Sequence, residues 1–142
     1  MPAATLLLGG VTAVAIRGRG LLIEGEPGSG KSSLALALID RGAVLIGDDG
    51  VRVSSVNGTL MVHPPPRTAG LLEVRNVGLI ELPIADAPVA LLLRLDGDAE
   101  RYPAQRRRVS MLGLHVPVLP FRPGDAVQAL RAEWALEVHG LA

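Results

Sequence analysis

The stretch GEPGSGKSS, residues 25–33, lies between the apolar run Leu21, Leu22, Ile23 and a second apolar run over residues 34–39. Gly25, Gly30, Lys31 and Ser32 fit the spacing G-x-x-x-x-G-K-[ST], and the chemistry calls for each of those types. Glycines let main-chain N–H groups close on phosphate oxygens, the lysine neutralises β- and γ-phosphate charge, and the Ser32 hydroxyl is suited to hold Mg2+. A helix starting at Ser32 adds its positive N-terminal end. A chance match in a chain of this size is on the order of one per cent or less at average glycine usage. Lys31 is also the only lysine, every other cationic side chain being arginine, which fits a compact point charge kept for one purpose. The whole loop, Gly25, Glu26, Pro27, Gly28, Ser29, Gly30, Lys31, Ser32 and Ser33, therefore reads as a seat for a nucleotide's phosphates.

Outward from the loop, residues 12–16 and 21–24 read as strands parted by Gly18 and Gly20, with the second running straight into the loop. Two short strands are expected within residues 3–16. Residues 32–40 form a helix apolar almost all round, closed by Gly42. Residues 43–46 form a buried strand that ends at Asp48 and Asp49. Residues 51–53 and 59–62 pair through Asn57 and Gly58 as a hairpin. Residues 71–81 fit either a helical turn or a strand, residues 88–95 a fully buried strand, and residues 96–108 polar, irregular chain. Asp125 with Gln128 suggests a capping box for a last helix, on which Val127, Leu130, Trp134 and Val138 share a face before Gly140. The expected fold class is α/β, a phosphate-loop domain with a strand-rich mixed sheet and about two main helices, and 1–142 reads as one domain.

Bulk properties narrow the function classes. The chain has 142 residues, a formal charge of zero and no cysteine, so disulfides and thiolate metal sites are excluded and a cytoplasmic setting is expected. The run Arg106, Arg107, Arg108 is too short for a polyelectrolyte-binding stripe, so no nucleic acid partner is expected. No segment is long enough to span a membrane. Apolar residues make up 49% and aromatics only 2%, which implies an aliphatic core and a homo-oligomer with buried subunit contacts. His63, His115 and His139 lack metal-ligand spacing and read as ordinary surface or interface residues.

The single lysine leaves no [NT]-K-x-D guanine-reading motif, and there is no H-R-D catalytic loop. Asp48 and Asp49 follow a buried strand, where a carboxylate can face the γ-phosphate and its metal. Neighbouring side chains on extended backbone point apart. One of the two therefore suits a base toward an attacking hydroxyl, and the other a contact to metal or backbone.

The loop, the helix and RGAVLIGDDGV, residues 41–51, resemble the catalytic domain of the HPr kinase/phosphorylase family in its short proteobacterial form. GLLEVRNVGLIEL, residues 70–82, is similar to that family's second signature, L-E-[IV]-R-G-[IL]-G. The resemblance covers about residues 11–121 and implies a core like that of HPr kinase and phosphoenolpyruvate carboxykinase. It further implies an ATP- and Mg2+-dependent serine kinase/phosphorylase acting on the phosphocarrier protein HPr as partner, assembled as a hexamer. Position by position, Asp48 resembles the proton acceptor, Lys31 and Arg101 the charge stabilisers, and Arg75 a residue used in both reaction directions. Ser32 and Glu73 resemble metal ligands, with Asp49 beside them.

Three departures stand out. Gly10, give or take one position, replaces a family histidine. Asn76 replaces a signature glycine, and PFRPGD puts Arg122 and Asp125 where P-V-K-x-G-R is usual. These changes touch the reverse reaction or protein docking, so kinase activity is expected to outlast phosphorylase activity. They also keep open a nucleotide-binding regulatory paralogue or a kinase acting on another protein, and, more remotely, a small-molecule kinase.

Overall fold

The computed structural model describes residues 4–103 and 105–142; Ala3, the first residue of the expected N-terminal strand pair, lies outside them. In chain order the elements are β1 Thr5–Gly9, β2 Val11–Ile16, β3 Arg19–Glu24, α1 Lys31–Asp40, β4 Val44–Gly47, β5 Gly50–Val56 and β6 Thr59–His63. There follow β7 Leu71–Val74, β8 Gly78–Glu81, β9 Ala87–Leu95, β10 Arg107–Met111, β11 Leu114–Phe121 and α2 Gln128–His139.

The buried middles of the central strands are apolar, Thr12 apart, because both faces of the sheet are covered, while polar Arg19, Glu24 and Arg94 fall toward the strand ends. Val14, Ile16, Leu21, Ile23, Leu91 and Leu93 turn one way, into a cluster with Leu34 and Leu38 of α1 and Ala132 and Leu136 of α2. Their neighbours Ala13, Ala15, Leu22 and Leu92 turn the other way, to Val51, Val53, Leu60, Val62, Val116 and Val118. Alternate side chains leave a strand on opposite faces, so one run of sequence feeds two cores.

The main sheet runs β1-β5-β6-β9-β3-β2-β4, with β11 added on β9 and β10 on β11, while β7 and β8 form a separate ribbon. β9 is parallel to both β3 and β11, and most other pairs are antiparallel. The carboxyl ends of β3, β9 and β11 consequently open on one edge, and β3 delivers the glycine-rich loop there.

Local expectations are met at several turns. At the end of α1 the Gly42 amide bonds Ile39 O at 2.9 Å and the Ala43 amide bonds Leu38 O at 3.1 Å, the paired bonds of a Schellman stop. Asn57 and Gly58 both adopt positive φ at the β5–β6 hairpin. The ambiguous residues 71–81 resolve as strands, because Leu71 pairs with Glu81 and Val74 with Gly78.

Three expectations are corrected. Residues 107 and 108 belong to β10 rather than to irregular chain, since β11 gives that segment a ladder. Helix α2 begins at Gln128, and its N-cap Val127 makes no side-chain cap bond. The capping interactions sit one turn earlier, where Asp125 Oδ1 accepts from Val127 N at 3.0 Å and Gln128 Oε1 accepts from Gly124 N at 2.9 Å. The third correction concerns which face of α2 is inside. Ala129, Ala132, Ala135 and Leu136 are buried, whereas Val127, Leu130, Trp134 and Val138 face solvent, Trp134 at 66% exposure. Small side chains let α2 lie close against α1 and the sheet, leaving the larger stripe outside.

Candidate functional site

The loop after β3 takes its shape from residues that tolerate close contact and positive φ. A Cβ on Gly25 would stand 2.5 Å from Ser29 Oγ and 3.1 Å from Leu95 Cβ, so a larger residue would have to displace both neighbours. Gly30, with φ 104°, turns the chain into α1, a conformation L side chains avoid. The Leu34 amide closes the first turn on Gly30 O at 3.0 Å, which leaves the amides of Lys31, Ser32 and Ser33 without intrahelical acceptors. No acidic residue of the helix itself occupies that first turn, so the positive helix end is left to groups outside the helix. Buried Lys31 folds back over the loop and donates from Nζ to Gly25 O at 2.8 Å and Glu26 O at 3.4 Å. The buried Ser29 Oγ has no partner among the described residues. Free amides, a poised ammonium and an orphaned hydroxyl fit a phosphate chain.

Asp48 is the hub of the acidic side. Its Oδ1 accepts from Ser32 Oγ at 2.7 Å and from Thr12 Oγ1 at 3.1 Å, and its Oδ2 accepts from Glu73 N at 3.3 Å. Thr12 Oγ1 in turn accepts from Asp49 N at 3.1 Å. Asp49 has φ 58°, a left-handed conformation that aspartate tolerates, and its exposed carboxylate makes no hydrogen bond among the described residues. The sheet order explains the meeting: β2, which carries Thr12, lies between β3, which leads into the loop, and β4, which leads into Asp48.

A cavity of about 380 Å³ brings together Pro27, Gly28, Gly30, Lys31, Ser32 and Ser33 with Asp48, Asp49, Glu73, Arg75 and Asn76. Most of the expected site residues thus converge. Asn76 has φ 68°, so it keeps the left-handed turn for which the family signature uses glycine. Ser32, Asp48, Asp49 and Glu73 offer oxygen donors for Mg2+. Among the described residues, no group of three or more His, Cys, Asp or Glu side chains is placed to hold a metal ion by itself.

Arg101 is not brought there. It is exposed, lies over the Tyr102 ring at 5.7 Å, and lines a different cavity with Arg122 and Asp125. Gly10 forms the β1–β2 turn with φ 73°, and its amide bonds Asp49 O at 3.1 Å, so the departure from histidine falls directly behind the acidic pair. His63 is more engaged than its sequence spacing suggested. Its Nδ1 meets Asp86 Oδ2 at 2.6 Å and its Nε2 meets Ser54 Oγ at 2.6 Å; the fold, not the spacing, creates that pair.

Thr12 is the functional residue that sequence reasoning missed. The available signal was a lone hydroxyl inside the apolar strand VTAVAI, because a buried polar group needs partners.

Fold and loop together define a phosphate-loop α/β domain with a carboxylate facing the loop's serine. The chain belongs to the HPr kinase family: residues 3–85 match the HPr Serine kinase C-terminal domain. HPr kinase/phosphorylase from Clostridium beijerinckii is 35% identical over 132 residues, 82% of this chain and 44% of that protein. The Clostridium tetani protein of the same name is 36% identical, over 82% of this chain and 43% of its own length. The chain therefore spans under half the length of these curated relatives. Among solved structures, the Hpr(Ser) kinase/phosphatase from Coxiella burnetii superposes with a TM-score of 0.78 at 28% identity, covering 94% of this chain and 89% of that one. No helix among the described residues is long and apolar enough to cross a membrane.

Proposed function

We propose that this domain is a Mg-ATP-dependent protein serine kinase whose substrate is an HPr-type phosphocarrier protein. The observation that carries the reading is the 2.7 Å bond between Ser32 of the phosphate loop and Asp48, which joins the nucleotide seat to a carboxylate in a chain of this family. In the reaction the serine hydroxyl oxygen bonds to the γ-phosphorus, the bond from that phosphorus to the β,γ-bridging oxygen breaks, and Asp48 takes the hydroxyl proton. Lys31 balances charge on the phosphates, and Arg75, on the cavity rim, reaches the transferring oxygens. Ser32, Asp49 and Glu73 hold Mg2+, which when bound supplies further charge neutralisation. Arg101 joins only through motion of its segment or from another subunit. The exposed α2 stripe around Trp134 supports a homo-oligomer, a hexamer by family resemblance.

Transfer of label from ATP to HPr and to its serine-to-alanine form, with wild type and Asp48→Asn, tests this reading. Label on wild-type HPr alone, dependent on Asp48, is expected; label on neither form removes the kinase reading. The same bond admits a second reading, favoured by the Asp49 carboxylate, which has no hydrogen bond among the described residues. The Ser32 bond sets Asp48 on the metal side, and the unengaged Asp49 is then the base. In that case Asp48→Asn raises the Mg2+ requirement while Asp49→Asn abolishes transfer.

The reverse reaction is the weaker one. Asp125 adds negative charge beside Arg122 in the altered segment, unfavourable for an incoming phosphate dianion. Rapid pyrophosphate release from phosphorylated HPr at millimolar phosphate would contradict this. If HPr is no substrate at all, nucleotide-dependent binding to another protein identifies a regulatory paralogue.

A further inference from the structure

A cavity of about 770 Å³ opens beside the phosphate loop, on the flank opposite Asp48. Its floor is the edge where β9 and β11 end. The Asp96 amide bonds Phe121 O at 2.9 Å and so ties the two strand ends together. Its wall toward the loop is close at hand: Leu95 Cβ lies 3.1 Å from the place of a Cβ on Gly25, and Pro123 Cβ lies 3.9 Å from that of Gly30. Asp96 and Arg122, which follow Leu95 and precede Pro123, line the cavity.

Its chemistry is not that of a second phosphate site. Asp96, Asp98, Glu100 and Asp125 are interleaved with the arginines, and four carboxylates disfavour a dianion. They suit a neutral group rich in donors, such as ribose hydroxyls and an exocyclic amine. One guanidinium is already fixed in place. Arg131 donates to Arg122 O at 2.8 Å and to Asp125 Oδ2 at 3.0 Å, and it lies over the Phe121 ring at 4.5 Å. A planar cation held this way offers a stacking surface for a purine.

We propose that this cavity is the nucleoside subsite: the purine base of the bound triphosphate stacks on Arg131, and its ribose hydroxyls donate to the carboxylates at the end of β9. The inference rests on the nucleotide reading of the loop. It follows from the sheet order, since ligands of open α/β sheets lie outside the carboxyl ends of parallel strands. A triphosphate whose terminal phosphate faces β4 extends across β3 toward β9 and β11. The volume is within the usual range for a small-molecule site.

Calorimetric binding of ATP and of inorganic tripolyphosphate, each with Mg2+, to the full chain separates the two ideas. Arg131→Ala is expected to weaken ATP about tenfold and to leave tripolyphosphate within about twofold, since only the nucleoside loses its stacking partner. Intact tripolyphosphate binding also shows that the variant is folded. Photolabelling of the wild type with 8-azido-ATP is expected to mark peptides from residues 96–103 or 119–131. Equal losses for both ligands, unchanged ATP affinity, or label confined to residues 73–76 would overturn the subsite while leaving the phosphate loop standing. Failure of the wild type to bind either ligand would overturn both.

Discussion

Replacing Thr12 by valine tests whether the acidic pair is held from inside the sheet. The side chain is fully buried, and valine keeps its branching and nearly its volume, so the change removes little beyond the hydroxyl. That hydroxyl donates to Asp48 and accepts from the Asp49 amide. A bond to a charged partner contributes about 1.5–3 kcal/mol, and an amide stripped of its acceptor costs about 1–3 kcal/mol. Asp49 is exposed, so water meets part of the second cost, and a total near 3 kcal/mol is expected. Thr12→Ser keeps both bonds and loses one methyl group, at about 1 kcal/mol. Urea unfolding at a single protein concentration, with equal slopes, gives the order wild type, serine, valine. The valine variant should also transfer phosphate more slowly, since Asp48 then keeps only Ser32 and the Glu73 amide. A valine variant as stable as the serine variant would refute the reasoning, because shape rather than hydrogen bonding would then decide the position.

Other substitutions probe other parts of the structure. Lys31→Ala should weaken ATP binding by about tenfold to a hundredfold in calorimetry, and because it also removes the bonds to Gly25 O and Glu26 O it should lower the unfolding midpoint. Leu38→Ala, at a fully buried position of α1, should cost about 2–5 kcal/mol by urea unfolding. Asn76→Gly should be neutral within about 0.5 kcal/mol, whereas Asn76→Val forces a β-branched residue to positive φ and should cost about 1–2 kcal/mol. Trp134→Glu should shift sedimentation toward smaller particles without unfolding the chain if the α2 stripe is a subunit contact.

Much of the fold was legible because its signals are local. The loop, the Gly42 stop and the Asn57–Gly58 turn each follow from backbone chemistry within a few residues. The face of α2 was not, because periodicity reports that Val127, Leu130, Trp134 and Val138 align but not which way they point. The alanines opposite, small enough for close helix packing, decided that. Strand β11 contains Pro117 and Pro120, which read as breakers, and β10 opens on arginines; β11 exists because β9 supplies a neighbour, and β10 because β11 does. Within the site, Lys31, Ser32, Asp48 and Asp49 converge with the loop as their motifs implied, and Glu73 and Arg75, placed by resemblance, line the same cavity. Thr12 and the His63–Asp86 pair depend on residues far apart in sequence. Arg101 was placed by resemblance alone, and its segment lies on the other flank of the loop.

The placement of β2 between β3 and β4 has a consequence for tuning. Adjacent strands sit about 4.8 Å apart through main-chain bonds, so the gap between phosphate seat and acid is gauged first by backbone, like the jaws of a caliper, with the Thr12 hydroxyl as the side chain set between them. The one irregularity in that gauge is the register shift between Ala13 and Val14 where β2 meets β4. Changes at this hidden kink, touching neither nucleotide nor partner, would alter turnover while leaving affinity intact.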